Sequence, residues 1–551
     1  MRNTENTIKL VAGSPRKRAR TTLTAVAVVG LLLALACAPA LAQNASASGP
    51  PPARAEAKAR KLPSPEKIVR DYLKAAGGKK RLGAIRDAVY EWEAEGTTGG
   101  GAGRRVLFKA PSSRRVEVLA GDGVESVSAA NARTAWRQAR GAAVETLTGA
   151  EAQTNKLLAV LEGGRLVGYE RVKAMARTAG VAQVGDEQAY AVEFSTRDGG
   201  RTRYWFGAAS KLLLRVEDAA GGATVTASDF RPVGGVLEAH RVTEEREGKV
   251  VGSYVLRAVR HNTGLADALF EPPSDAALDI AALLRELAGN QDEVDQRVND
   301  YTYTRRVTER ELNDRGEVRK EKTNVYEVYP VVGWGRVQKL VSENGVALSP
   351  ERAAKEEKRV AEELEKAERE APKREAERRR KRAARAAKKA RAGGDAVDDD
   401  ADDDVGIATF LRACELTGAR RERFRERETV VFDFRPRAAF RARNRAESIV
   451  SKLAGTIWVD PTDRQVMRLE ARFVDGFKLG GGLAAVKSGS AFVFEQTRLA
   501  DGVWLPRSAQ VNVSVRLLFI GKSVNETHEF SDYKRFSART GEDKLDAPQK
   551  P

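Results

Sequence analysis

The stretch Tyr204-Trp205-Phe206, followed by Leu214-Arg215-Val216-Glu217, returns 253 residues later as Ile457-Trp458-Val459, followed by Met467-Arg468-Leu469-Glu470. The spacing from Trp to Arg is ten residues in both. Each copy reads as a hairpin whose second strand turns Arg and Glu to its outer face. Upstream, Val192-Glu193-Phe194 is answered by Phe432-Asp433-Phe434. Downstream, Asp229-Phe230-Arg231-Pro232 with Gly235-Val236-Leu237 is answered by Glu495-Gln496-Thr497-Arg498 with Gly502-Val503-Trp504-Leu505-Pro506. The offset grows there because Phe473 to Ser490, with Gly480-Gly481-Gly482, is inserted in the second copy. The glycines of that insertion, with Leu483 and Val486, suit a lid or a plug. Matches that keep their order over such a length imply an internal duplication.

Outside the hairpins the period of two continues. Tyr190, Val192 and Phe194 alternate with Ala191 and Glu193, and Leu212, Leu214 and Val216 alternate with Leu213, Arg215 and Glu217. In the second copy Val430, Phe432 and Phe434 form one such set, and Val511, Val513, Val515 and Leu517 another. Strands with one apolar and one wet face build antiparallel sheets. Asp198-Gly199-Gly200 and Glu247-Gly248 are turns between them. No helical stretch of crossover length alternates with the strands, which argues against a doubly wound α/β fold.

Short helices open each copy. Ser64 as N-cap and Pro65 at the first helical position start one that Gly77-Gly78 ends, with Ile68, Tyr72 and Leu73 on one face. Ile280, Leu283, Leu284 and Leu287 make the stripe of the other. The expected fold class is mainly β (α+β): two tandem curved antiparallel sheets over short helices, spanning residues 64–276 and 277–545. Such a sheet must fill or hollow its concave side, and Trp205 and Trp458 serve either end. With Leu214, Val216, Phe432, Phe434, Met467 and Leu469 they are the candidate lining of a ligand cavity.

A long charged insert interrupts the second copy at residues 351–404. Its part 351–394 holds 17 Lys or Arg and 10 Asp or Glu, and seven Asp follow within Asp395 to Asp404, so the insert is neutral as a whole. Pairs such as Glu351 with Lys355 and Glu362 with Lys366 suit a solvated helix, and apolar residues are too few for a buried face. Arg378 to Arg391 has the composition of an arm for nucleic acid or anionic lipid, set against the plainer reading of a solvated helix hung from a loop. The Asp run lacks the Gly and Glu placement of a calcium loop.

The N-terminus directs export. Arg16, Lys17, Arg18 and Arg20 precede an uncharged run from Thr21 to Ala53, most apolar from Leu23 to Ala36, and Ala40-Leu41-Ala42 offers a cleavage site after Ala42. A signal peptide (1–42) and a flexible tether (43–63) follow from this, with a periplasmic or outer-membrane-associated location. An uncleaved anchor is the competing reading, and lipidation at Cys37 a third, with Ala34 and Leu35 fitting a lipoprotein signal poorly. The formal charge is +18, and residues 1–42 hold six Lys or Arg and one Glu, so the exported part carries +13. Export leaves little access to nucleic acid, and an anionic membrane surface is the counterpart such a balance suits.

Cleavage at Ala42 leaves Cys414 alone, so the fold is held by its core and not by a disulfide. Cys414 has no His within a hundred residues and reads as a half-buried structural thiol. His240, His261 and His528 sit in no metal-ligand spacing, and no phosphate loop, Gly-x-Ser-x-Gly or dinucleotide fingerprint occurs. The reading is of a non-catalytic protein without cofactor.

The helix ending in Gly-Gly, the strands, and Tyr204-Trp205-Phe206, Leu212-Leu213-Leu214-Arg215-Val216-Glu217 and Asp229-Phe230-Arg231-Pro232-Val233-Gly234-Gly235-Val236-Leu237 resemble outer-membrane lipoprotein-sorting proteins of the LolA and LolB type. Gly455-Thr456-Ile457-Trp458-Val459-Asp460-Pro461 with Arg468-Leu469-Glu470 resembles the same superfamily. The resemblance implies half-open barrels closed by helices, with lipid or lipoprotein acyl chains as ligands. A sensor or scaffold that contacts a partner through the arm 351–404 is the alternative. No family contact residue aligns with a position of this chain.

Overall fold

The computed structural model describes residues 62–535 apart from 97–102, 122, 173, 219–221, 288–299, 314–317, 332–334, 392–409, 411, 443–444, 480–483 and 518–519. The leader, nearly all of the tether, Cys37, Leu483 and the Asp395–Asp404 run lie outside the described residues.

Helix α1 (Pro65–Ala75) starts as its sequence dictates: the Ser64 side chain accepts from the Lys67 N–H, and Pro65 takes the first helical position. It buries Ile68, Val69 and Leu73. Gly77 then turns the chain at φ +126°, where an added Cβ would stand 2.6 Å from the Gly235 carbonyl. Helix α2 (Lys79–Ala84) follows.

The first sheet begins with a meander, β1 (Asp87–Ala94), β2 (Gly103–Lys109), β3 (Ser113–Ala120), β4 (Gly123–Ala130), β5 (Ala135–Ala139) and β6 (Glu145–Thr146). Helix α3 (Gly149–Gly163) comes next. The sheet is completed by β7 (Met175–Val184), β8 (Glu187–Ser195), β9 (Arg201–Gly207), β10 (Leu213–Asp218), β11 (Ala223–Val233), β12 (Val236–Arg246) and β13 (Lys249–His261). Its spatial order is β6-β5-β4-β3-β2-β1-β13-β12-β11-β10-β9-β8-β7, so the first and last strands meet in the middle.

The second unit repeats this plan. Helix α4 (280–287) precedes β14 (Tyr301–Leu312), β15 (Val318–Val331), β16 (Gly335–Glu343) and β17 (Val346–Ala347). Helix α5 (Pro350–Arg391) follows, then β18 (Cys414–Phe424), β19 (Arg427–Pro436), helix α6 (Arg445–Val450), β20 (Leu453–Asp460) and β21 (Gln465–Phe473). The inserted stretch forms a small hairpin, β22 (Phe477–Leu479) and β23 (Ala484–Val486), and the unit ends with β24 (Ala491–Arg498), β25 (Trp504–Leu517) and β26 (Ile520–Arg535). The order is β17-β16-β15-β14-β26-β25-β24-β21-β20-β19-β18, again with first strand beside last, and β23 pairs with β25. The sheets are antiparallel and neither closes into a barrel.

The repeat read from the residues is present in the registers. Trp205 stands opposite Arg215, and Trp458 opposite Arg468. Each pair is followed by a bulge at the same place, between Leu213 and Arg215 in one copy and at Trp458/Val459 in the other, so Leu214 and Met467 are the extra residues. The downstream match is displaced. Arg215 faces Thr226 and Arg468 faces Glu495, so Glu495 corresponds to a position three residues before Asp229. The β11–β12 hairpin turns on Gly234-Gly235, whereas β24 and β25 are joined by a longer loop, which accounts for the slip.

The bulge also shifts the alternation in β10. Leu213 and Val216 pack against the core with Tyr204 and Phe206, whereas the run of leucines alone points to Leu212, Leu214 and Val216. Cys414 is fully buried, not half-buried, because it joins Ala413, Phe434, Ile449 and Val450 in the second core.

The two sheets adjoin at their end strands. The Thr146 N–H and hydroxyl of β6 donate to the two oxygens of Glu422 on β18, at 2.9 and 2.6 Å. The buried Arg420 guanidinium donates to the same carboxylate at 2.6 Å. Two open strand edges thereby protect one another.

Candidate functional site

The inner face of the first sheet is filled by α1, α2 and α3. From α3, Leu157, Leu158 and Leu161 reach the core formed with Ile68, Val192, Phe194, Tyr204 and Phe206. Each fully buried leucine contributes about 1.5–3 kcal/mol. Two ion pairs fix the C-terminal end of this helix. Arg114 on β3 donates to Glu162 at 2.6 Å, and Arg165, just past the helix, donates to Glu238 on β12 at 2.5 Å.

Glu238 is a hub. Its Oε1 also accepts from the Tyr90 hydroxyl and faces His261 Nε2, both at 3.0 Å. Burial works to raise this carboxyl, but the hydrogen bond with His261 and the Arg165 guanidinium outweigh it and hold it below the usual glutamate range. Burial pushes the Tyr90 hydroxyl up. Arg165 and Leu166 adopt φ of +49° and +58°, the local backbone strain that aims the guanidinium inward. A carboxylate so fully occupied is a clamp between helix and sheet, not a free base.

On the second sheet the inner face divides. Toward β19–β21 it is an apolar core in which Leu284 and Leu287 of α4 meet Phe432, Phe434, Ile449, Leu469 and Phe492. Toward β14–β16 it becomes aromatic and polar. Arg305 on β14 stands in register with Phe530 on β26 and Tyr326 on β15. Its Nη2 and Nε lie 2.8 and 3.1 Å from Nδ1 of the buried His528, and its Nη1 donates to Gln338 Oε1 at 3.3 Å. Tyr303 packs beside it against Phe530 and Tyr533, with ring centroids 5.8 and 5.3 Å apart. Burial pushes the Arg305 guanidinium below its usual value against the pull of Tyr303, Glu526 and Tyr326, and Arg336 lowers it further.

The eight residues read as cavity lining separate onto two sides. Val216, Phe432, Phe434 and Leu469 lie on the inner faces. Trp205 lies on the outer face, where its indole N–H donates to Glu217 at 2.7 Å. Trp458 and Met467 lie on the outer face of the second sheet, in a cluster with Val431 and Trp504. Leu214 is the half-buried bulge residue between the two. The alternation of β14, Tyr303-Arg305-Val307, was the signal for the polar inner cluster, but a strand rich in Arg and Glu reads as wet on both faces.

A cleft of about 320 Å³ opens beside Trp205 on the outer face, lined by Glu193, Arg201, Arg203, Glu217 and Asp218 among others. Its charges satisfy each other, Arg203 pairing with Glu217 at 3.2 Å and Glu193 at 3.6 Å. Among the described residues no three of His, Cys, Asp and Glu converge as a metal site requires. Burial pushes the Cys414 thiol up to about 12, far from a reactive thiolate. No helix of the described residues is long and apolar enough to cross a membrane.

Helix α5 is not free of the sheet. It runs along the open edge of β16, where Glu356 accepts from the Leu340 N–H at 2.9 Å and Arg359 donates to the Gln338 carbonyl. Val360 and Ala367 of the helix are buried. Along the helix Arg359 pairs with Glu356 and Glu363, at 2.7 Å each, and Arg374 with Glu370 at 3.3 Å. The insert is therefore an edge cover in its first half. Beyond Pro372 every described position up to Arg380 is exposed.

No family model matches the sequence. No curated protein matches it either. Among solved structures the chain is similar to a putative outer membrane lipoprotein-sorting protein domain from Vibrio parahaemolyticus, at 12% identity over 37% of this chain and 94% of that one, with a TM-score of 0.26. It is similar also to a LolA superfamily protein from Nitrosomonas europaea, at 14% identity over 38% of this chain and 98% of that one, with a TM-score of 0.25. The Pseudomonas aeruginosa MucA/MucB complex structure matches at 9% identity over 85% of this chain and 99% of that one, with a TM-score of 0.17. At TM-scores this low, what the chain binds is argued from its own side chains.

Proposed function

We propose that this is an exported envelope protein that binds or carries the acyl chains of lipids or lipoproteins, without covalent chemistry, on the inner face of its second sheet. One observation supports this above the others. In the first unit α3 packs across β2 to β5, but among the described residues no helix packs across β14 and β15 in the same way. Tyr303, Val307 and Tyr326 stand there, continuous with Phe530, Val511 and Val513 beside the apolar core. An acyl chain laid on such a face gains about 0.8 kcal/mol per buried CH₂. Lipid extraction from the purified protein followed by mass spectrometry, with uptake of a fluorescent fatty acid, tests it. Absence of both co-purifying lipid and uptake would sink the reading.

A second reading, a sensor or scaffold that meets its partner through the charged arm, is favoured by the composition of α5 beyond Pro372. Residues 373–391 hold 11 Lys or Arg against two Glu. Because Glu356 and Arg359 cover a strand edge, the informative deletion is 373–404 rather than the whole insert. A carrier keeps its lipid after this deletion, whereas a scaffold loses its partner in pull-downs.

A further inference from the structure

We propose that Arg305 and Arg336 form a seat for an oxyanion, the carboxylate or phosphate head of an amphiphile whose chain lies along the inner face of the second sheet. This rests on the acyl-binding reading and adds the head-group chemistry to it. Four observations lead here.

Arg305 is tied to a ring nitrogen and an amide oxygen, His528 Nδ1 and Gln338 Oε1, and no carboxylate among the described residues pairs with it. Glu526 lies one ring away, 2.8 Å from His528 Nε2 and out of line for a hydrogen bond with it. Arg336 stands on the same face of β16, two residues before Gln338, and its Nε is buried without any acceptor. It is close enough to Arg305 to disfavour the charge there.

The first unit neutralises its inward arginines directly, Arg165 with Glu238 and Arg114 with Glu162, and on the outer face of the second sheet the buried Arg420 and Arg468 pair with Glu422 and Glu495. Two guanidinium groups drawn together with no acid between them are costly in the empty state. A bound carboxylate or phosphate, which accepts paired N–H bonds from guanidinium, relieves that cost. The surrounding rings of Tyr303, Tyr533 and Phe530 keep water away and offer the apolar wall an attached chain needs.

The test uses the full exported chain and two fluorescent probes, cis-parinaric acid and its uncharged methyl ester. The expected result is about tenfold tighter binding of the acid, equivalent to about 1.4 kcal/mol. Arg336→Gln lowers the acid to the level of the ester and leaves the ester unchanged. Arg305→Gln does the same where it folds, and Arg336, half-exposed, carries the test where it does not. Equal binding of acid and ester, or an acid preference that survives Arg336→Gln, overturns the seat while leaving acyl binding in place. If neither probe binds, the acyl reading fails. The seat then stands only if inorganic phosphate raises the melting temperature of the protein and Arg336→Gln abolishes that rise. No rise overturns it.

Discussion

Helices α3 and α5 occupy the same place in the chain order, each between the opening meander of its unit and the strands that complete the sheet. Their side chains send them to opposite destinations. Over 15 residues α3 carries Leu157, Leu158 and Leu161 on the buried side, and it crosses the concave face. Over 42 residues α5 buries Val360 and Ala367 among long charged residues, and it lies along an edge. A duplicated connection has thus become a lid in one copy and an edge guard with a basic extension in the other. The polar contacts diverge in parallel. Where the first copy clamps Glu238 between Arg165, Tyr90 and His261, the second builds an aromatic group of Tyr301, Tyr303 and Tyr533, with the Tyr533 hydroxyl donating to the Pro506 carbonyl at 2.5 Å.

The clamp at Glu238 is the sharpest point at which to break the comparison. Glu238→Ala leaves the Arg165 guanidinium and the Tyr90 hydroxyl buried without their acceptor, at an expected cost of about 3–5 kcal/mol. Chemical denaturation should show that loss in the first unit. Labelling of Cys414, buried in the second core, reports on the other unit and should stay slow until that unit unfolds. Early labelling of Cys414 in the variant would mean that the two units share one transition.

The two helices themselves give the next effect. Leu161→Ala should destabilise the first unit by about 2–5 kcal/mol, the range for a buried leucine that leaves a cavity. Val360→Ala in α5 removes two methyl groups from a contact at the rim and should cost about 1–2 kcal/mol. Equal losses would show that α5 is as much a part of its core as α3 is.

Acid should act more gently, and in the first unit it reaches two buried carboxylates. Glu238 and Asp87 both have carboxyls held below their ordinary values. Burial opposes this in each; His261 and Arg165 overcome it at Glu238, and the Thr263 hydroxyl with the N–H groups of Thr263 and Gly264 does so at Asp87. A depressed carboxyl contributes stability that is complete above its unfolded value, about 4.3 for Glu and about 3.9 for Asp, and is lost as pH falls through the folded one. The first unit should therefore weaken below about pH 4. Glu238→Ala should flatten that acid limb, and an unchanged limb would relocate the dependence to other carboxylates.

Much of this architecture was legible in the residues, and the reasons are local. The alternation of Phe432 and Phe434, the Ser64-Pro65 start and the Gly77-Gly78 stop are each decided by neighbours in sequence. The repeated Trp-to-Arg spacing marks a true cross-strand register in both copies. What the residues did not carry was which face a Trp takes, because Tyr204-Trp205-Phe206 and Ile457-Trp458-Val459 are apolar at every position, nor which leucines of β10 face inward, because the bulge at Leu214 exchanges the faces beyond it. Nor did they carry the clamps. His261 and Glu238 lie 23 residues apart on neighbouring strands, and Arg305 and His528 are 223 apart, brought together only because the first and last strands pair.

The equivalent tryptophans supply the smallest effect and the finest discrimination. On the outer face Trp205 donates to Glu217 at 2.7 Å, so Trp205→Phe forfeits a hydrogen bond to a charged acceptor in a half-wet setting, at about 1 kcal/mol. The Trp458 N–H is buried without an acceptor, under Phe424 and the Arg468 guanidinium. Trp458→Phe therefore removes an unpaid desolvation along with some ring area, two terms of opposite sign and similar size. The expected change is within about 0.5 kcal/mol of zero. Paired denaturation curves for the two variants decide it. A loss at Trp458 as large as that at Trp205 would mean that the second indole does find a partner in solution, and that the outer faces of the two copies are more alike than their contacts imply.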